Sequence, residues 1–369
     1  MVKDSCILNQ QKTLEMKNKI LIIFALAFSV LACDNEENEF ADFGSTSVYF
    51  PYQTPVRSLI LGEYNLGFNE NDNNGRFEIG VTMSGVYSND KERKVHFELA
   101  PNLIDATTLG IASANVQVLP SQYYTIEQTS PVTIPVGSIK GRIPVQLTDA
   151  FFDDPLSFAG ENEVNYVLPL VITDYEELDS LLTGVPAEGI VSPFRVKNDE
   201  WATNPKDYTL FGIKFMNKYQ GIYLRRGEDV MTNALNETVS TVYRDEFIVR
   251  DELVTATTTG RNNVELSNIV RRNGLASPGD VNIELAFNDQ GTCSISSYDV
   301  DAYNVSGSGE FVNDGAEWGG KKRDVIYLDY QYTDAANNET HAVKDTLVLR
   351  DRNVKFEEFT LELTPIGLP

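Results

Sequence analysis

Two histidines and three cysteines are all that this chain of 369 residues offers for imidazole or thiol chemistry. His96 lies in Val95-His96-Phe97-Glu98-Leu99, where apolar and polar side chains alternate and the imidazole falls on the polar face. His341 sits in a polar stretch ahead of another strand-like run. Neither has a second His or Cys at ligand spacing, so no transition-metal site is expected. A Ser-His-Asp triad lacks its usual signature, because no Gly-x-Ser-x-Gly elbow occurs. Carboxylates are abundant, yet neighbours such as Asp153-Asp154 or Glu357-Glu358 would point to opposite faces of a strand. Glycoside hydrolysis needs two carboxyl groups facing each other, about 5–9 Å apart. The run Glu70-Asn71-Asp72-Asn73-Asn74-Gly75 lacks the spacing and terminal Glu of a calcium loop and reads as an Asn-rich hairpin turn. The residues therefore predict no catalytic group, no metal and no cofactor. A hydrolase with an unrecognised carboxylate pair is kept as a rival.

Binding chemistry has better candidates. Trp318 lies in Asn313-Asp314-Gly315-Ala316-Glu317-Trp318-Gly319-Gly320, a polar stretch with Gly on both sides. A large aromatic there is poorly placed for a core and reads as a ligand platform, or else as a plug closing a barrel end. Tyr298 and Tyr303 flank Asp299–Ala302 and are weaker candidates of the same kind. Arg225 and Arg226 stand out in an acidic chain. They could grip a carboxylate or sulfate through bidentate contacts, or pair internally with nearby acids.

The elements that would position these residues are β nearly throughout. Short alternating runs recur between Gly, Asn, Asp and Pro clusters, as in Arg76–Met83, Arg142–Leu147 and Tyr166–Ile172. Ile143, Val145 and Leu147 should face a core, and Pro144, lacking an N–H, suggests an edge strand or a bulge. Asp174–Leu182 carries the one faint helical signal. Residues 45–195 read as an antiparallel, Ig-like sandwich. A polar, Pro-bounded stretch follows, where Trp201 would pack two domains together. Residues 205–365 then hold eight or more consecutive strands, with Asn288-Asp289-Gln290-Gly291 as a hairpin turn. A closed, lipocalin-like antiparallel barrel hides their edges most simply, a second sandwich being the alternative. The fold class is all-β.

The N-terminus predicts an address. Ile20–Leu31 is apolar apart from Ser29, follows Lys17 and Lys19, and is too short to span a bilayer, as in a secretory signal over residues 1–32. Met16 is a more natural start than Met1. Val30-Leu31-Ala32-Cys33 resembles the bacterial lipobox, which implies cleavage before Cys33 and a lipid on its thiol. Residues 33–44 form an acidic tether, and the acids after Cys33 resemble the tag that sends Bacteroides-type lipoproteins to the outer face of the outer membrane. With Cys6 and Cys33 so accounted for, Cys293 has no disulfide partner and should be buried and inert. The net charge of -24 makes nucleic acid a poor partner and leaves membrane attachment to the lipid.

Two longer likenesses follow. Val48-Tyr49-Phe50-Pro51, Met83-Ser84-Gly85, Leu119-Pro120-Ser121-Gln122-Tyr123-Tyr124, Ile134-Pro135-Val136-Gly137 and Tyr166-Val167-Leu168-Pro169-Leu170 resemble an Ig-like domain of Bacteroides-type surface lipoproteins. That domain is also found ahead of an endo-β-N-acetylglucosaminidase. Phe211–Gly221, Tyr223–Gly227 and Asp345–Arg352 resemble the unknown-function domain that often follows it. The resemblance implies a cell-surface glycan- or oligosaccharide-binding role beside a Sus-type transporter complex; read from its own residues, the chain would hold the sugar with Trp318 and nearby polar side chains. The hydrolase domain is absent, so glycosidase activity does not carry over. A structural accessory or adhesin docking on an outer-membrane partner is the other rival.

Overall fold

The computed structural model describes residues 42–64, 67–271, 281–298 and 303–367. The signal segment, Cys33 and most of the acidic tether lie outside the described residues. Among the described residues no helix is long and apolar enough to cross a membrane.

Alternation builds the first sheet. Arg76–Ser84 buries Phe77, Ile79, Val81 and Met83, and Lys140–Leu147 buries Ile143, Val145 and Leu147, as period-two side chains on one covered face must. The sheet runs in the order Ser180–Leu181, Ser47–Tyr49, Arg76–Ser84, Lys140–Leu147, Tyr124–Ile126. A second sheet faces it, ordered Glu357–Glu358, Pro55–Ile60, Tyr208–Met216, Tyr166–Glu176, Arg93–Leu99, Val132–Ile134. Its central strand is buried on both faces. Tyr166, Leu168, Leu170 and Ile172 join the core between the sheets, while Val167 and Val171 pack under a layer that includes Leu103, Leu109 and Phe359. That is why Tyr166–Ile172 reads as a continuous apolar run.

Several sequence expectations need correction. Asp174–Leu182 is no helix: the strand continues to Glu176 and the chain turns at Glu177, whose φ is 61°. Lys140–Leu147 is an interior strand despite Pro144, and the Pro144 carbonyl accepts from Glu127 N at 3.0 Å. Glu70–Asn73 is a helical turn, there because buried Asp72 accepts from Ile60 N at 2.9 Å and pairs with Arg57. Trp201 folds back on its own segment, donating to Phe194 O at 2.8 Å. The boundary also moves. Tyr208–Met216 pairs with Tyr166–Glu176 and Pro55–Ile60, and the chain's end returns through Glu357–Glu358 and Leu363–Pro365 to pair with Pro55–Ile60 and Ile111–Ala114. The barrel is thus inserted between two pieces of the sandwich.

The barrel has eight antiparallel strands: Gly221–Thr232, Glu252–Thr258, Asn263–Leu266, Ile283–Phe287, Thr292–Ser297, Ser306–Trp318, Lys321–Asp334 and Glu339–Asp351. The last closes on the first from Tyr223↔Leu349 to Thr232↔Thr340. Asn288–Gly291 makes the expected turn, with Gly291 N on Asn288 O at 3.0 Å. An extra strand, Thr238–Tyr243, folds back along the outer half of Gly221–Thr232.

Cys293 is buried in the barrel wall, and burial pushes its thiol up to about 12. Burial likewise raises Tyr208 and Tyr219 to about 12. The unfolded groups ionise near about 8.5 for a thiol and about 10 for a phenol, so the stability these protonated groups contribute is complete below those values. It is lost as pH rises toward about 12, because the unfolded state then sheds protons that the folded state keeps. Cys293 should resist a thiol reagent at pH 8 until denaturant is added, and melting temperature should fall steadily through the alkaline window. Rapid native labelling would contradict the first expectation, and a melting temperature that stays level through that window the second.

Candidate functional site

The two barrel ends differ in chemistry. Where Gly221–Thr232 begins, Tyr219 and Phe287 stack with centroids 3.7 Å apart, and Phe311 meets Tyr219 edge-on at 5.1 Å. These aromatics are the plug. Toward the other end, Gly221–Thr232, Lys321–Asp334 and Glu339–Asp351 run on past their shorter neighbours. Their inward faces change character along the way. Leu328, Tyr330, Tyr332 and Asp334 follow one another on one strand, Leu347, Asp345, Val343 and His341 on the next, and all are buried. Apolar filling gives way to charge as the mouth is approached.

The floor of that mouth is a buried charge network. Arg225, 3% exposed, donates through Nε to Asp345 Oδ2 at 3.0 Å and through Nη2 to Ile269 O at 2.8 Å and Tyr330 Oη at 3.1 Å. Its Nη1 reaches Glu252 Oε1 at 3.4 Å. Arg271 completes the ring, with Nε on Glu252 Oε2 at 2.7 Å and Nη2 at 2.8 Å from Asp345 Oδ1. Tyr330 donates to Asp345 Oδ2 at 3.0 Å. Burial works to lower the pKa of Arg225, but Tyr330, Asp345 and Glu252 outweigh it and hold the guanidinium above its ordinary value. Burial raises Tyr330, with Asp345 adding to the rise. Gly227 makes room for this network. A Cβ there would lie 2.2 Å from both Asp345 Oδ1 and Lys344 O.

Above the floor opens a cavity of about 580 Å³. Tyr243 forms part of its wall, with the Arg271 guanidinium 4.7 Å from its ring centroid and its hydroxyl 3.4 Å from Arg271 O. Asp251 accepts from Arg226 Nε at 2.5 Å and from Asp245 N at 2.9 Å. Arg244 and Arg250 are exposed on the rim, Arg250 lying 5.1 Å over the Phe247 ring. The cavity is lined mainly by donors and acceptors, which suits a polar ligand rather than a lipid tail.

Next to the mouth, His341 Nδ1 lies 2.8 and 3.0 Å from the Asp229 carboxylate, and its ring stacks on Tyr332 at 4.4 Å. Asp334, Glu339 and His341 each offer a ligand atom, all within 4.8 Å of one another. The fold therefore gives His341 carboxylate companions that linear spacing did not suggest.

The residues singled out from the sequence do not converge. Arg225 and Arg226 are both at the mouth, but as internal ion-pair partners of Asp345, Glu252 and Asp251. Trp318 lies at the opposite end of the barrel, where Ser306–Trp318 continues to a Gly319-Gly320 turn with φ of 63° and 70°. Its indole is half-buried against the outward-facing Leu224, Val325 and Val348, and the Arg323 guanidinium lies 4.8 Å from its ring. It is neither a free platform nor the plug. Tyr298 is 41% exposed, whereas Tyr303 packs against the barrel core. Tyr243, Arg244, Arg250 and Arg271, which line the cavity, carry no motif or spacing that marks them in the sequence. The one available signal was the inward register of Tyr330, Tyr332 and Asp334, which marks polar side chains turning into a barrel.

Residues 218–353 match the domain of unknown function DUF5627, a span that coincides with the barrel, and residues 43–179 match a family described as an N-terminal domain. No curated protein matches the chain. Among solved structures, a Bacteroides ovatus protein of unknown function is 32% identical, with a TM-score of 0.75, covering 87% of this chain and 99% of its own. A multidomain Bacteroides ovatus protein including DUF1735 is 13% identical, with a TM-score of 0.41 over 84% of this chain and 96% of its own. An auxiliary nutrient binding protein from Bacteroides thetaiotaomicron is 14% identical, with a TM-score of 0.36 over 80% and 90%. The chain belongs to the same family as the first of these, the Bacteroides ovatus protein of unknown function, and carries the DUF5627 domain as its barrel.

Proposed function

We propose that the protein is a non-catalytic glycan-binding lipoprotein that takes up its ligand in the barrel mouth, held by a lipid on Cys33 at the outer face of the outer membrane beside a glycan-uptake transporter. The observation that carries the binding reading is the cavity of about 580 Å³, a size within the range of small-molecule sites. A hydroxyl-rich ligand needs alternating donors and acceptors beside an aromatic surface. The wall supplies Asp245, Asn268 and Arg271 around Tyr243. The interior below is filled by side chains and closed by the Arg225–Asp345 network, so a ligand would rest on the mouth rather than enter the barrel.

A polysaccharide panel presented to residues 44–367 tests this. At least one glycan should be retained, and Tyr243→Ala should weaken it about tenfold or more. Trp318→Ala should leave binding unchanged. Failure to retain any glycan would sink the reading. Loss of binding in Trp318→Ala but not in Tyr243→Ala would move the site to the far end of the barrel.

A further inference from the structure

The acids lining the cavity are spent, and two of its four arginines are not. Both oxygens of Glu252 are taken by Arg225 and Arg271. The Asp251 carboxylate receives Arg226 Nε and Asp245 N, and Asp245 Oδ1 receives Phe247 N at 3.1 Å. Asp345 is held by Arg225, Arg271 and Tyr330. Arg244 and Arg250 line the same cavity, are exposed, and have no carboxylate partner among the described residues. In a chain with 54 acidic and 30 basic residues, two uncommitted cations on one rim are out of keeping with the rest of the composition. All four cations lining the cavity are Arg and none is Lys. A planar guanidinium matches the two oxygens of a carboxylate or sulfate, which a point-charge ammonium does not.

We infer that the ligand is an anionic saccharide, a uronate or a sulfated sugar, whose acidic group is met by Arg244 and Arg250 while Tyr243 faces the ring. The inference rests on the glycan reading and narrows it. The strong negative charge elsewhere does not forbid it, because at physiological salt fields are screened beyond about 8 Å, so the ligand experiences mainly the rim.

The test removes charge from each side in turn. Polygalacturonate, alginate and chondroitin sulfate would be offered to residues 44–367 alongside their carboxyl-reduced or desulfated counterparts and a set of neutral glycans. At least one acidic polymer should bind, with its uncharged counterpart bound about tenfold or more weakly. Arg244→Gln with Arg250→Gln should reduce the acidic polymer to the level of its counterpart. Both residues are exposed, so folding should be untouched and circular dichroism unchanged. Equal binding of charged and uncharged forms, or retention of neutral glycans alone, would overturn this inference and leave glycan binding standing. Retention of nothing on any panel would overturn both.

Discussion

Arg225→Met is expected to destabilise the protein by about 3–5 kcal/mol, the cost of leaving one member of a buried ion pair behind. Asp345 is as buried as Arg225, at 3% exposed, and would retain Arg271 and Tyr330 but lose one of its two cations. Ile269 O and the Tyr330 hydroxyl would lose a donor as well. Arg225→Lys should rescue little, because one ammonium cannot reach Asp345, Glu252, Ile269 O and Tyr330 from a single position. Urea unfolding followed by intrinsic fluorescence checks this. A loss under about 0.5 kcal/mol, typical of surface substitutions, would show that the network is not what shapes the mouth. The double variant Arg225→Met with Asp345→Leu should cost less than its two single changes together, since both remove one coupled unit.

Arg352→Met should loosen the junction of sandwich and barrel. Arg352 is 7% exposed and donates from Nη2 to Asn217 O at 2.7 Å and Leu61 O at 3.2 Å, and from Nη1 to Glu63 O at 3.4 Å. Burial lowers its pKa, the mark of a cation held where water is scarce. Methionine would leave carbonyls from both halves without a donor, at about 1–3 kcal/mol for each group that stays dry. The barrel should then melt separately from the sandwich in calorimetry, and the Met216–Gly221 segment should become sensitive to protease. A single unchanged transition would mean that Arg261, which pairs with Asp149 and Asp153 across the same junction, and the strand returning from the barrel hold it unaided.

Much of the architecture was legible in the sequence because period-two patterning is local. Ile143, Val145 and Leu147 had one possible inward face once the strand was recognised, and the turn at Asn288–Gly291 was written in its residues. The boundary was not legible for the opposite reason. Whether Tyr208–Met216 joins the sandwich or the barrel depends on its partners, Tyr166–Glu176 and Pro55–Ile60, the latter about 150 residues earlier. The site failed in the same way. Arg271 and Asp345 are far apart in the chain and adjacent in space, so neither drew attention, whereas Arg225-Arg226 drew it through adjacency alone. Trp318 looked exposed because its stretch is Gly-rich and polar. That composition builds a bulged hairpin with a two-glycine turn, and the indole lies down on the outer wall.

The inserted barrel has a mechanical consequence. The chain enters it after Met216 and leaves it after Asp351, and Ile222 pairs with Asp351. Two parallel tethers side by side resist the swivelling that a single linker permits. A pull on anything held at the mouth would therefore be passed to the sandwich through both strands at once, and the mouth would keep its aim. The same pair of crossings makes residues 218–353 a natural cassette: one barrel could be exchanged for another without reopening the sheet that carries it.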